Sequence, residues 1–103
     1  MPLIDTAVML RDARAKGYCV AAFNVVDFLS IECVVEAAER QNAPVIIQTS
    51  SGTVKRFGVG KLVAMTRIAA SDATVPVSLH LDHGTKLDVI SEAIAAGYNS
   101  VMI

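Results

Sequence analysis

Charge of one sign is what this sequence lacks first. Nine lysines and arginines face ten aspartates and glutamates, giving a net charge of -1 and a pI near 6.0. That balance leaves no basic footprint for a nucleic-acid partner. No apolar run is long enough to span a bilayer, so no membrane partner is expected. The opening Met1-Pro2-Leu3-Ile4-Asp5 has neither the basic start nor the apolar core of a secretory signal. Cysteine is scarce. Cys19 and Cys33 share no metal-binding or redox spacing, and they read as reduced core residues of a cytoplasmic protein. Low-complexity stretches and obvious linkers are missing too, so the 103 residues read as one folding unit.

What is present is apolar. Hydrophobic residues make up 53% of the chain, enough for a buried core and incompatible with a disordered one. Asp5-Thr6 can cap a helix running to about Lys16, with Gly17 as its stop. Tyr18 to Phe23 has the length of a strand, ended by Asn24. From Asp27 to Arg40, Phe28, Ile31, Val35 and Ala38 recur at helical spacing. Pro44 to Gln48 is a second strand, and Thr49-Ser50-Ser51-Gly52 reads as a polar loop. Val59 to Ala70 is helical with Leu62, Met65 and Ala69 on one face. Pro76 to Asp82 is a third strand. Thr85 to Ala96 is a helix with Leu87, Ile90 and Ile94 on one face and Gly97 as its stop, and Asn99 to Ile103 begins a fourth strand.

Strands alternating with helices predict a parallel sheet with right-handed crossovers, in this case with both edges open. The strands are continuously apolar, as befits strands covered on both faces. Two architectures fit: an open doubly wound sheet, or part of a (β/α)8 barrel. Asn24, the stretch from Gln48 to Ser51, and Asp82-His83 all fall at or just past C-terminal strand ends. That is the catalytic face of a TIM barrel, although an open sheet also binds ligands at that edge. The first strand-to-helix turn, Asn24-Val25-Val26-Asp27, has no glycine-rich dinucleotide fingerprint.

His80-Leu81-Asp82-His83-Gly84 is the stretch that points to chemistry. It contains both histidines of the protein and an aspartate between them, at the end of an alternating run. Imidazole binds zinc, and a carboxylate beside it can move a proton. Each residue also has an ordinary reading. His83 suits a hydrogen-bonded surface histidine, Asp82 a cap for the helix that follows, and His80 a satisfied core histidine on the same side as Ser78 and Asp82. Asn24, Ser50 and Ser51 suit plain turn chemistry. Lys55-Arg56 reads as a solvated basic pair. Lys16, Lys55, Lys61 and Lys86 do not end apolar strands, where burial can prepare a Schiff-base lysine.

The chain resembles the class II, zinc-dependent ketose-bisphosphate aldolases. The likeness is carried by Gly17-Tyr18 leading into Ala21-Ala22-Phe23-Asn24, and by Pro44-Val45-Ile46-Ile47 with its Ser-Gly loop. It continues through Val75 to Gly84, then Ala93 to Tyr98 and Ser100-Val101-Met102-Ile103. The resemblance implies a TIM barrel, of which residues 1–103 are the N-terminal part: the first three βα units and the fourth strand. It implies reversible cleavage of a ketose 1,6-bisphosphate, with fructose 1,6-bisphosphate as the default and tagatose bisphosphate or a related sugar phosphate as alternatives. Asp82 is then the catalytic acid/base, His83 a zinc ligand, Asn24 a substrate contact and Ser50 (or Ser51) a phosphate contact. His80 is an orienting residue beside them. Zinc, a monovalent cation and a homo-oligomer, dimer or tetramer, are implied in the same way.

Length is the departure. A TIM barrel has about 250 residues, and the family's other zinc-binding histidines, later phosphate loops and acidic residue after the fourth strand are absent from these 103. One ligand cannot hold a catalytic zinc, which takes three. Two readings from other classes therefore stand beside the enzyme: a non-catalytic half-barrel that assembles with another chain, and an open-sheet phosphate-binding module built on Ser50 to Gly52.

Overall fold

The computed structural model describes residues 3–103; Met1 and Pro2 of the opening stretch lie outside the described residues. Nine elements follow in order: α1 (Thr6–Lys16), β1 (Ala21–Asn24), α2 (Phe28–Arg40), β2 (Val45–Thr49), α3 (Ser51–Phe57), α4 (Val59–Ala70), β3 (Val77–Leu81), α5 (Leu87–Ala96) and β4 (Ser100–Val101). The local signals act as read. The Asp5 side chain accepts from the Ala7 amide and Gly17 ends α1 in the left-handed conformation, at φ 77°. Asp27 caps α2 reciprocally with Ser30.

The four strands form one parallel sheet in the order β1-β2-β3-β4. That order resolves the two architectures. A doubly wound sheet reverses its strand order at a switch point. Here it never reverses, so successive right-handed crossovers put every connecting helix on the same side. The helices agree: α2 packs on α4 and α4 on α5, with α2 on β2 and α4 on β3. This is the winding of a barrel wall. Val45, Ile47, Val77, Leu79 and Leu81 face the helices and join Ile31, Val35, Leu62, Val63 and Ala93 in the core. The opposite face is closed at its N-terminal end by α1, where the buried Ser78 hydroxyl donates to Met9 Sδ at 4.0 Å.

Several expectations change. The polar loop after β2 is instead a strand end and a helix start: Thr49 completes β2, Ser50 is an N-cap, and Ser51 and Gly52 open α3. On α5 the buried residues are Ile90 and Ala93, while Leu87 and Ile94 are 75% and 58% exposed. Cys19 and Cys33 are exposed rather than core residues. Cys33 lies on the flank of α2 away from Ile31 and Val35, in an apolar groove with Phe23, Val34 and Ala37. β1 is not covered on both faces. It is an edge strand exposed along its length, and its Phe23 is 51% exposed.

Candidate active site

The strand register assembles the site. Asn24 lies opposite Gln48, Gln48 opposite His80, and His80 opposite Ser100. Because side chains alternate along a strand, these four share the face turned away from the helices. They form a polar row at, or one step from, the C-terminal strand ends. Gln48 Nε2 donates to Asn24 Oδ1 at 2.8 Å and, at 3.4 Å, to Asp82 Oδ2. His80 Nδ1 and the Ser100 hydroxyl are 2.7 Å apart.

Asp82 stands just past β3, where its amide donates to the Thr49 carbonyl at 2.9 Å. Its side chain is 19% exposed, and Oδ1 lies 3.7 Å from Nε2 of His83, which is 78% exposed. In a continuing strand, successive side chains leave on opposite faces. They meet here because His83 is left-handed, at φ 51°. That conformation is uncommon outside glycine and persists only where neighbouring contacts enforce it. Two contacts do so. Ser51 Oγ donates to the His83 carbonyl at 3.0 Å, and the Gly84 amide donates to the Met102 carbonyl at 2.6 Å. Gly84 has no room for a side chain: an added Cβ would lie 2.7 Å from Ile90 Cγ1 and 2.9 Å from the Met102 oxygen.

Asn24 and Ser50 are both exposed at strand ends. Ser50 Oγ accepts from the Thr53 amide at 3.3 Å, so it serves α3 as its cap. The end of β2 before it is anchored by a buried pair, Thr49 Oγ1 and Tyr98 Oη at 2.8 Å. Burial pushes the Tyr98 hydroxyl pKa up, with the hydrogen bond it shares with Thr49 acting in the opposite direction. Asp82 caps no helix; the N-cap of α5 is Lys86, without a side-chain cap bond. Burial holds His80 below the usual histidine range, with the charge of Asp82 acting in the opposite direction.

Gln48 is the residue that sequence reasoning passed over. It counted among the polar groups at strand ends, but its partners are 24 and 34 positions away. Only the parallel register brings them together. Ser51, read in the sequence as the alternative phosphate contact, instead gives its hydroxyl to the His83 backbone carbonyl.

An exposed imidazole beside a carboxylate suits metal ligation by donor type. Yet among the described residues no group of three or more His, Cys, Asp or Glu side chains is placed to hold a metal ion. They supply His83 and no closed ligand set. The same residues include no helix long and apolar enough to cross a membrane.

A singly wound parallel sheet with these groups at its C-terminal strand ends is a segment of a TIM barrel, and the family can now be given. The model described as fructose-bisphosphate aldolase class-II matches residues 4–103, and the chain belongs to that family. A fructose-bisphosphate aldolase of Helicobacter pylori (strain ATCC 700392 / 26695) is 41% identical over 102 residues, covering 98% of this chain and 33% of the relative. One of Staphylococcus aureus (strain Mu50) is 39% identical over 106 residues, covering 100% and 37%. Among solved structures, the YdjI aldolase of Escherichia coli K12 superposes with a TM-score of 0.87 at 37% identity, over 98% of this chain and 40% of that one. The fructose-bisphosphate aldolase of Campylobacter jejuni gives 0.81 at 32% identity, over 92% and 33%. The chain thus spans about a third of the curated relatives it matches.

Proposed function

We propose that these residues form one wall of the active site of a metal-dependent aldolase that reversibly cleaves a ketose 1,6-bisphosphate, with fructose 1,6-bisphosphate as first choice. The observation that carries this reading is the convergence of Asp82 Oδ1 and His83 Nε2, 3.7 Å apart at the C-terminal end of β3. Cleavage requires a base for the hydroxyl proton beside the scissile carbon–carbon bond. The Asp82 carboxylate accepts that proton as the bond's electron pair withdraws toward the ketose carbonyl. In condensation the same carboxyl returns a proton to the aldehyde oxygen, so one group serves both directions. His83 is assigned as one zinc ligand, with the rest of the ligand set outside the described residues. Zinc held there would supply Lewis-acid polarisation of the ketose carbonyl. Asn24 and Ser50 are assigned to substrate oxygens, Ser50 to a phosphate through its hydroxyl, which also lies 3.3 Å from Thr53 Oγ1. His80, bonded to Ser100, orients the floor of the row. The substrate is a sugar bisphosphate, the products are dihydroxyacetone phosphate and an aldehyde phosphate, and the assembly is a homo-oligomer. Tagatose bisphosphate is the nearest alternative substrate.

A second reading is favoured by the exposed β1 edge and by the groove of about 350 Å³ beside Phe23. In it the chain is one wall of a barrel whose other strands are supplied by another polypeptide.

The test of the first reading compares two variants in the complete enzyme. Asp82→Asn keeps zinc but loses turnover by about 10²–10⁴-fold, because an amide accepts no proton. His83→Ala loses zinc itself, measured by elemental analysis after dialysis. Chelation abolishes activity and zinc restores it. Borohydride trapping of substrate on a lysine, or normal turnover in Asp82→Asn, sinks the assignment.

A further inference from the structure

We propose that Gln48 is a positioning residue that sets two members of the site through a single amide group. The inference rests on the aldolase reading and adds a residue to it. Gln48 carries two N–H donors on one nitrogen and one carbonyl acceptor. An ionised carboxylate only accepts, so Asp82 fixes which end of the Gln48 amide faces it. The same nitrogen reaches Asn24 Oδ1 at 2.8 Å and Asp82 Oδ2 at 3.4 Å, so each hydrogen has its own acceptor.

Two consequences follow from that bridge. The Asn24 carbonyl is engaged, so the end of Asn24 left open is its NH2 group, at an exposed strand end. Asn24 then turns its N–H donors to the substrate, the right sign for a phosphate or hydroxyl oxygen. Asp82 is held by Oδ2, which leaves Oδ1 on the side of His83. Gln48 has no such need as a core residue. It lies on the polar face, while Ile47 and Thr49 on either side are fully buried on the helix face.

The experiment uses the complete zinc-loaded enzyme. Gln48→Met keeps length and packing but removes both donors. It is expected to lower kcat by about 10²-fold, the scale of an ångström-sized misplacement, and to raise KM for the bisphosphate severalfold, with an unchanged melting temperature. Gln48→Glu sets an acceptor against two acceptors and is expected to lose more. The diagnostic readout is a cycle with Asn24→Ala. In that background Gln48→Met leaves KM unmoved while still lowering kcat, because only the Asp82 arm of the bridge is left to break. Additive KM effects, or unchanged kcat and KM in Gln48→Met, overturn the inference. A second measurement needs no turnover. In 15N-edited spectra the Asn24 side-chain amide resonances shift on Gln48→Met, and those of Gln48 shift on Asp82→Asn. Insensitivity of both pairs overturns the bridge directly. An unmutated enzyme that fails to cleave any ketose bisphosphate refutes the aldolase reading instead, and the amide resonances then decide Gln48 alone.

Discussion

Alanine at Gly84 drives a methyl group into two obstacles at once. The new Cβ falls 2.7 Å from Ile90 Cγ1 and 2.9 Å from the Met102 carbonyl oxygen. Ile90 is a buried side chain of α5 with neighbours of its own. Met102 O is backbone, and it already accepts the Gly84 amide at 2.6 Å. Neither can retreat without moving its element, so the loop carrying His83 must lift. Overpacking of this kind costs about 1–3 kcal/mol, and a weakened buried hydrogen bond adds about 0.5–1.5 kcal/mol. In a complete barrel of about 250 residues each kcal/mol moves the melting temperature by about 2–4 °C.

A matched control separates this steric effect from glycine replacement in general. Gly60 lies in α4 with nothing within 4 Å of its would-be Cβ. Gly60→Ala should be neutral or stabilising, by up to about 1 kcal/mol. Urea unfolding of both variants therefore predicts midpoints that move in opposite directions, or one that falls while the other stays. In the complete enzyme Gly84→Ala should also weaken zinc binding, since lifting the loop releases the left-handed turn at His83. A Gly84→Ala midpoint equal to that of Gly60→Ala refutes the reasoning, because the packing at Gly84 would then have no energetic consequence.

Two further expectations concern pH and association. Burial depresses the folded-state pKa of His80 below its ordinary value of 6.5, so the unfolded chain binds this proton more readily. The stability from keeping His80 neutral is complete above the unfolded value and is lost as pH falls through 6.5 toward the folded value. Urea midpoints between pH 7.5 and 5 should fall more steeply for the unmutated protein than for His80→Asn, and equal slopes count against a buried neutral histidine. Residues 1–103 expressed alone should self-associate through the uncovered β1 edge and Phe23, and should not cleave ketose bisphosphates. Sedimentation and a coupled assay check both, and a monomer with turnover contradicts them.

The fold was legible wherever local chemistry and periodicity agreed. Asp5, Asp27, Gly17 and Gly97 mark helix ends in the sequence and act as those ends in the structure. Buried strand residues such as Val45, Ile47 and Leu79 announced themselves as β-branched or apolar runs. α3 was not legible. It is seven residues long, too short for periodicity to speak, and isolated helices of that length are marginal. Its first residues look like a turn because Ser50 is doing what turn residues do, accepting a backbone N–H. The α5 face was misread because Leu87 and Ile94 satisfy helical spacing, yet spacing does not say which stripe a neighbouring helix will cover. At the site, Asp82 and His83 stood out through their motif at a strand end and through the family resemblance. Their convergence did not, since it depends on a left-handed turn that nothing in His-Leu-Asp-His encodes on its own.

The parity of the strands explains why these two kinds of information separate. On β2 and β3 the odd-numbered residues Val45, Ile47, Val77, Leu79 and Leu81 face the helices and are buried with them. The even-numbered Gln48 and His80 face away, with Asn24 and Ser100 beside them in register. Stability is thus written on one parity as apolar volume, readable residue by residue. Chemistry is written on the other as hydrogen bonds between strands, readable only once the register is known. Thr49 tests the rule by breaking it. It is a polar residue on the helix-facing parity and fully buried, a placement that costs free energy unless its hydroxyl is satisfied. Tyr98 Oη at 2.8 Å satisfies it. The pair fixes the end of β2 immediately before Ser50, so the exception to the stability parity occurs at the strand end that carries the candidate phosphate contact.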